Sequence, residues 1–227
     1  MTPEASRERS APDVVILPEG VFRLADRREL VGYGPMRLFT PCLRIPTVYD
    51  LPLDWLRERR ILAVITDLDN TLVPWRDYRV ASDLAEWFET LHSQGFRTVI
   101  LTNARPSPTV RKLAQELRTE LLLGARKPIG VFFRRALERV SASPSQACVV
   151  GDQVFTDVLG GNLAGCYTVL VDRIGEREFI GTRFMRIIER IVLRRLGKAG
   201  LLSSDPSASD ASCPEPLDRS SASRPRT

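Results

Sequence analysis

Asp67 and Asp69 stand two positions apart in the run Asp67-Leu68-Asp69-Asn70-Thr71-Leu72, directly after an apolar stretch at residues 61–65. Two carboxylates this close, where an apolar run gives way to a loop, repel each other unless a cation sits between them. A hard, oxygen-seeking ion suits such a pair, and Mg²⁺ binds through one or two carboxylates together with a substrate phosphate. A calcium loop is a poor fit: the glycine that should follow three alternating oxygen ligands is missing, and Leu72-Val73 stand there instead. Further along, Leu101-Thr102-Asn103 offers a hydroxyl and an amide that can donate to phosphoryl oxygens. Lys127, ahead of Pro128, offers an ammonium that can neutralise a phosphate or a developing aspartyl phosphate. The run Gly151-Asp152-Gln153-Val154-Phe155-Thr156-Asp157 adds two more carboxylates.

These groups act together only if one scaffold collects them. Short apolar runs at 62–66, 97–102, 120–123, 147–150 and 167–171 read as strands. Between them lie stripes of helical period: Leu84, Trp87, Phe88 and Leu91, then Val110, Leu113, Ala114 and Leu117, then Ile129, Phe132, Phe133, Ala136, Leu137 and Val140. Apolar strands joined by helices predict a doubly wound parallel sheet covered on both faces, a three-layer α/β/α sandwich. Ligands of such a sheet bind outside the carboxyl ends of the strands, and each candidate group falls just past one. Asp157 also reads as a cap or first-turn residue of the next helix. His92, the single histidine, sits on a helix away from the strand ends and reads as an ordinary, partly buried residue. Trp87, Phe88, Phe132 and Phe133 read as core, and Cys148 and Cys166 as small buried residues.

The order D-x-D-x-T, Thr, Lys, G-D-x-x-x-D resembles the haloacid dehalogenase-like (HAD) superfamily. The flanking text, LPLDWLRERRILAVITDLDNTLVPW and GDQVFTDVLGGNLAG, is similar to its class III, YqeG-like branch, which is related to phosphatidylglycerophosphate phosphatases. The resemblance spans about residues 36–195. It implies that Asp67 is the nucleophile and that Asp69 is the general acid and then the base. It further implies that Asp67, Asp69 (through its main-chain carbonyl) and Asp152 hold Mg²⁺, that Thr102 orients the phosphate, and that Lys127 stabilises charge on Asp67. Asp157 would support the metal shell or Lys127. Family members often carry a cap domain between these motifs. Here 35 positions separate Asp67 from Thr102 and 25 separate Thr102 from Lys127, room for a helix and a strand and no large cap. An uncovered site and the narrower resemblance favour a phosphate monoester on a lipid headgroup, such as phosphatidylglycerophosphate. A soluble sugar-phosphate or nucleotide phosphatase is the alternative within the class, and a phospho-acceptor or non-catalytic binding module the alternative outside it.

The net charge of +5 is concentrated: residues 177–198 alone carry seven Arg or Lys against two Glu. On a helical wheel Phe184, Ile187, Ile188, Ile191 and Val192 share one face, with Arg183, Arg186, Arg190 and Arg194 along another. Such a helix either lies on an anionic membrane or docks on the sheet with its arginines in water. Nucleic acid is not expected, because no reader motif or aromatic interleaving accompanies the charge. No apolar stretch reaches the ~20 residues needed to span a bilayer. The four cysteines form no C-x-x-C pair, so the expected place is the cytoplasm, with peripheral contact to the inner face of the membrane. The expected divisions are an extension at 1–35, partly disordered, with Met36 as a candidate alternative start, a phosphatase core at 36–176, a basic helix at 177–202, and a disordered Ser- and Pro-rich tail at 203–227.

Overall fold

Six strands form a fully parallel sheet: β1 (Leu43–Ile45), β2 (Ala63–Thr66), β3 (Arg97–Leu101), β4 (Glu120–Leu122), β5 (Ala147–Gly151) and β6 (Tyr167–Val171), in the order β1-β6-β5-β2-β3-β4. The computed structural model describes residues 34–175, 182–202 and 204–205. The expectations for residues 1–33, 176–181, 203 and 206–227, most of the extension and tail, lie outside the described residues. Helices α1 (Leu53–Glu58), α2 (Ser82–Ser93), α3 (Pro108–Glu116), α4 (Gly130–Arg139), α5 (Leu159–Ala164) and α6 (Thr182–Lys198) connect and cover the strands.

Side chains alternate along a strand, so a sheet covered on both faces needs apolar residues at every position. Val64, Ile100, Cys148, Val150 and Val169 pack on one side with Trp55 and Leu56 of α1, Leu84, Phe88 and Leu91 of α2, and Val110 and Leu113 of α3. Ala63, Ile65, Val99, Leu101, Ala147 and Val149 pack on the other with Phe133, Ala136 and Leu137 of α4 and Ala164 of α5. This is the expected doubly wound, three-layer sandwich. Burial pushes the Cys166 thiol up to about 12 and raises that of Cys148, which suits packed rather than ligating sulfur.

From β2 the chain winds through β3 and β4 on one side, then returns to lay β5 and β6 on the other. The reversal opens a crevice between the carboxyl ends of β2 and β5, where ligands of such sheets bind. Among the described residues, the stretches between the site loops are filled by α2, β3, α3 and β4, and no cap domain is present.

Three features depart from the sequence reading. Strand β1 and helix α1 lack a periodic signal, being three and six residues long, and gain their place from pairing with β6 and from burial of Trp55 and Leu56. Ile129 precedes α4 and is 47% exposed, so the apolar stripe starts later than the spacing suggests. In α6, Leu196 is fully buried and Val192 and Leu193 pack on a cluster of Val154, Val158 and Leu170. Over the described half of α6 the buried face keeps Val192 but departs from the predicted one at Ile191, which is 46% exposed, whereas Glu189 is buried and accepts a hydrogen bond from the Val154 N–H. A buried amide needs an acceptor, a demand no hydropathy wheel registers. Arg190, Arg194, Arg195 and Lys198 face water, so this half of α6 is a helix docked on the core; the side chains of Phe184, Ile187 and Ile188 lie outside the described residues.

Candidate active site

Register places the first and last motifs side by side. Thr66 pairs with Val150 across β2 and β5, and the Asp67 N–H donates to the Val150 carbonyl at 2.9 Å. Asp67 and Asp152 therefore leave adjacent strands at one level. Beyond Asp152 the chain makes a wide π-type turn, Val154–Val158, which carries Asp157 inward to 1% exposure. Turns of this kind often mark functional sites. Gly151 makes the turn possible, because a Cβ there would stand 2.3 Å from Asp157 Cγ. Oxygens of Asp67, Asp152 and Asp157 lie within 4.8 Å of one another. Lys127, from the loop after β4, reaches in and donates to Asp67 Oδ1 and Asp157 Oδ1, each at 2.6 Å.

Both oxygens of Asp157 are engaged, since Oδ2 accepts from the Gln153 N–H and the Thr156 hydroxyl, each at 3.2 Å. Its geometry is that of a holder for Lys127 rather than of a helix cap. Thr102 is buried, and its Oγ1 accepts from the Ala104 N–H at 3.0 Å, which leaves the hydroxyl proton available. Asn103 Oδ1 accepts from the Lys127 N–H at 2.9 Å, tying the β3 and β4 loops together. Thr71 Oγ1 lies 3.5 Å from Asp152 Oδ1. All the candidate groups named from the sequence thus stand at one edge of the sheet.

The charge balance of this cluster calls for a cation. Burial works against the Lys127 charge, but the Asp157 and Asp67 carboxylates more than reverse this and hold it above the ordinary lysine value. Burial raises Asp157, Lys127 pulls it back and Asp67 raises it again, leaving it pushed up to about 6. Three buried carboxylates cluster here, and the Lys127 ammonium bonds two of them, Asp67 and Asp157. Oxygens this close, from three carboxylates, suit a divalent ion, so the donor set fits Mg²⁺.

Comparison with known proteins gives the family. A HAD-hydrolase-like family model matches residues 124–177. The probable phosphatase YqeG of Bacillus subtilis is 35% identical over 164 residues, 72% of this chain and 95% of that protein. The chain belongs to the HAD superfamily. The mitochondrial phosphatidylglycerophosphatase GEP4 of Saccharomyces cerevisiae is 30% identical over 154 residues, 61% of this chain and 80% of that protein. Among solved structures, the cobalt-bound deoxy-D-mannose-octulosonate 8-phosphate phosphatase YrbI of Haemophilus influenzae is 19% identical, covering 65% of this chain and 94% of its own, with a TM-score of 0.42.

In this HAD-type phosphatase the second aspartate of the first motif has a setting that its sequence does not announce. Asp69 Oδ1 accepts from the Arg76 N–H at 3.3 Å, so the chain folds back over the motif. Arg76 takes a left-handed backbone to do so (φ 63°), as do Asn70 (φ 66°) and Arg126 (φ 44°), a conformation that costs about 1–2 kcal/mol for an ordinary residue. The fold-back brings the Tyr78 hydroxyl within electrostatic reach of the Asp69 carboxylate while the Tyr78 ring packs against the core. Burial raises Asp69, its amide and phenol partners counter this, and the net direction is upward. Burial and the Asp69 charge push Tyr78 up to about 12. Tyr78 is the site residue missed from the sequence, where it looks like one more loop aromatic. His92 plays no part: its Nε2 lies 2.8 Å from Thr98 Oγ1, near the start of β3 at the opposite edge.

Proposed function

We propose that this phosphatase hydrolyses its phosphate monoester with Mg²⁺ through a phosphoryl group carried on Asp67, and that the ester is a lipid headgroup phosphate, phosphatidylglycerophosphate being the specific candidate. The observation that carries the chemistry is the Lys127 ammonium 2.6 Å from Asp67. A carboxylate is a poor nucleophile toward a dianionic ester until positive charge cancels the repulsion. Asp67 then attacks phosphorus, the ester bond breaks, and Asp69 gives its proton to the leaving alkoxide. Asp69 next takes a proton from the water that attacks the acyl phosphate, freeing phosphate and restoring Asp67. Thr102 and Asn103 orient the phosphoryl oxygens, and Asp157 fixes Lys127. Asp67, Asp152 and the Asp69 main-chain carbonyl would hold Mg²⁺, which when bound would supply Lewis-acid withdrawal of charge from those oxygens.

Tyr78 fits this scheme as the group that aims Asp69. Tyr78→Phe is expected to lower kcat about fivefold, the ~1 kcal/mol of one hydrogen bond, with KM little changed. The phenol stabilises the charged form of Asp69, so its loss raises that pKa further. The alkaline limb of the kcat profile should move up for an ester with a poor leaving group, and an unmoved limb would remove Tyr78 from the scheme.

The lipid substrate is supported by the phosphatidylglycerophosphatase relative and by the absence of a cap among the described residues. A phosphate-release screen with Mg²⁺, using Asp69→Asn as blank, tests it. Vesicle-borne phosphatidylglycerophosphate should exceed glycerol, sugar and nucleotide monoesters at least tenfold in kcat/KM, with all turnover lost in EDTA. A soluble ester in first place would reject the lipid headgroup and keep the phosphatase.

A further inference from the structure

We propose that the rim of the active site, built by the loops leaving β2, β3, β4 and β6, is a docking surface for an anionic lipid bilayer; the proposal rests on the lipid-headgroup reading above. The site itself is recessed, with Asp67 7% and Lys127 8% exposed. A phosphate anchored in a bilayer cannot leave the interface to reach such a depth, so the loops around the opening must come to the membrane.

Those loops carry the residues that an interface needs. Ile129 and Ile174 are large apolar side chains 47% and 44% exposed. Ile129 stands two residues past Lys127, and the Ile174 N–H donates to the Asn70 carbonyl at 2.9 Å, which holds it beside the first motif. Half-exposed isoleucines on both flanks of an opening match the apolar part of an interfacial surface, which enters the headgroup boundary. The cationic part is Arg76, Arg105 and Arg126, all exposed, one on each of the β2, β3 and β4 loops. Arg76 stacks over the Trp75 ring at 4.4 Å, and none of the three has a carboxylate partner among the described residues. Among the described residues the rim acids Asp172 and Asp77 are already matched, by Arg44 and Arg79. The charge left unbalanced around the opening, among the described residues, is therefore positive, the sign that anionic lipid attracts. The exposed side of α6, with Arg190, Ile191, Arg194, Arg195 and Lys198, is the competing surface.

The test uses the full chain and vesicles of phosphatidylcholine with phosphatidylglycerol. Three variants are compared: Arg105→Gln with Arg126→Gln, Ile129→Asp with Ile174→Asp, and Arg190→Gln with Arg194→Gln on α6. Cosedimentation should weaken about 25-fold for the first pair, at roughly fivefold per arginine. It should weaken at least about tenfold for the second, and less than twofold for the third. Turnover of para-nitrophenyl phosphate should stay within twofold in all of them, since none of these side chains contacts the buried cluster. Rim variants that bind vesicles like the parent, α6 variants that lose binding instead, or an equal loss on the soluble ester would each overturn the proposal. If the parent binds vesicles through the rim but does not hydrolyse phosphatidylglycerophosphate, the substrate reading falls and docking stands. If the lipid is hydrolysed equally by parent and rim variants, docking falls and the substrate reading stands.

Discussion

Asp67→Asn is expected to lower Mg²⁺-dependent phosphate release by about 10⁴-fold or more, the scale set by removing an essential nucleophile. The fold should survive. Three buried carboxylates lie within 4.8 Å of one another, so deleting one negative charge relieves repulsion, and the asparagine Oδ1 can still accept from Lys127. In the metal-free protein the thermal midpoint should hold or rise, while Mg²⁺ should protect less than it does the parent. The companion change, Asp69→Asn, should behave differently with para-nitrophenyl phosphate. That ester's leaving group needs no proton, so Asp67 is phosphorylated, but no base is left to activate water and labelled phosphoenzyme accumulates. An Asp67→Asn protein retaining more than about 1% of parental turnover, or an Asp69→Asn protein that never traps label, would remove the covalent route.

The catalytic constellation was legible because its members sit one to six positions past apolar strands. A parallel sheet covered on both faces forces such strands to read as continuous hydrophobic runs, and parallel winding delivers all their carboxyl ends to one edge. Asp67, Thr102, Lys127 and Asp152 could therefore be grouped without any distance being known. Tyr78 could not, because its contact with Asp69 depends on the loop folding back at Arg76, whose left-handed backbone is not encoded by a glycine. Asn162 was missed for a related reason. It is buried in α5, where its Nδ2 donates to the Leu38 and Thr40 carbonyls at 2.9 and 3.0 Å, and its Oδ1 accepts from the Thr168 hydroxyl at 3.0 Å. Those partners lie more than 120 positions back along the chain or across a strand. The available signal was weak but present: a lone amide between Gly161 and Leu163, and at Glu189 a lone acid inside a basic helix.

Element boundaries moved by a residue or so, as hydropathy alone fixes a strand's middle better than its end. The larger omissions, β1 and α1, are short segments whose conformation is set by what they pack on. Leu43 and Ile45 complete the sheet edge beside β6, and Trp55 and Leu56 close one layer of the core. The orientation of α6 could not be read because two demands compete there. Apolar periodicity would bury Ile191, and the Val154 amide instead draws Glu189 inward. The amide prevails because leaving it unmatched costs about 1–3 kcal/mol, as much as exposing half of an isoleucine. This acceptor also couples α6 to the turn that carries Asp157.

Lys127→Met should produce the largest loss of stability of any change at the site. The ammonium is the shared donor of Asp67 and Asp157, and methionine keeps its bulk while leaving two buried carboxylates face to face. Removing one member of a buried ionic group costs about 3–5 kcal/mol. The cost should depend on pH in a direction the geometry fixes. With Lys127 present, Asp157 is already pushed up to about 6, so the folded state holds its proton more tightly than the unfolded chain does. That contribution is complete near pH 4 and is lost as pH rises through about 6. Without the ammonium the folded value rises further, so the window extends to higher pH and the variant should lose ground to the parent between about pH 6 and pH 8. The Lys127 contribution in the parent is present throughout this range, because its folded pKa is raised and is lost only in strong alkali. Urea unfolding of both proteins in EDTA at pH 5 and pH 8 measures the difference, and a gap that stays constant or narrows toward pH 8 would contradict the shared-donor account. Mg²⁺ should restore part of the stability at pH 8, since a bound dication would supply charge to the same carboxylates, but not the activity, which needs the Lys127 ammonium on Asp67 Oδ1.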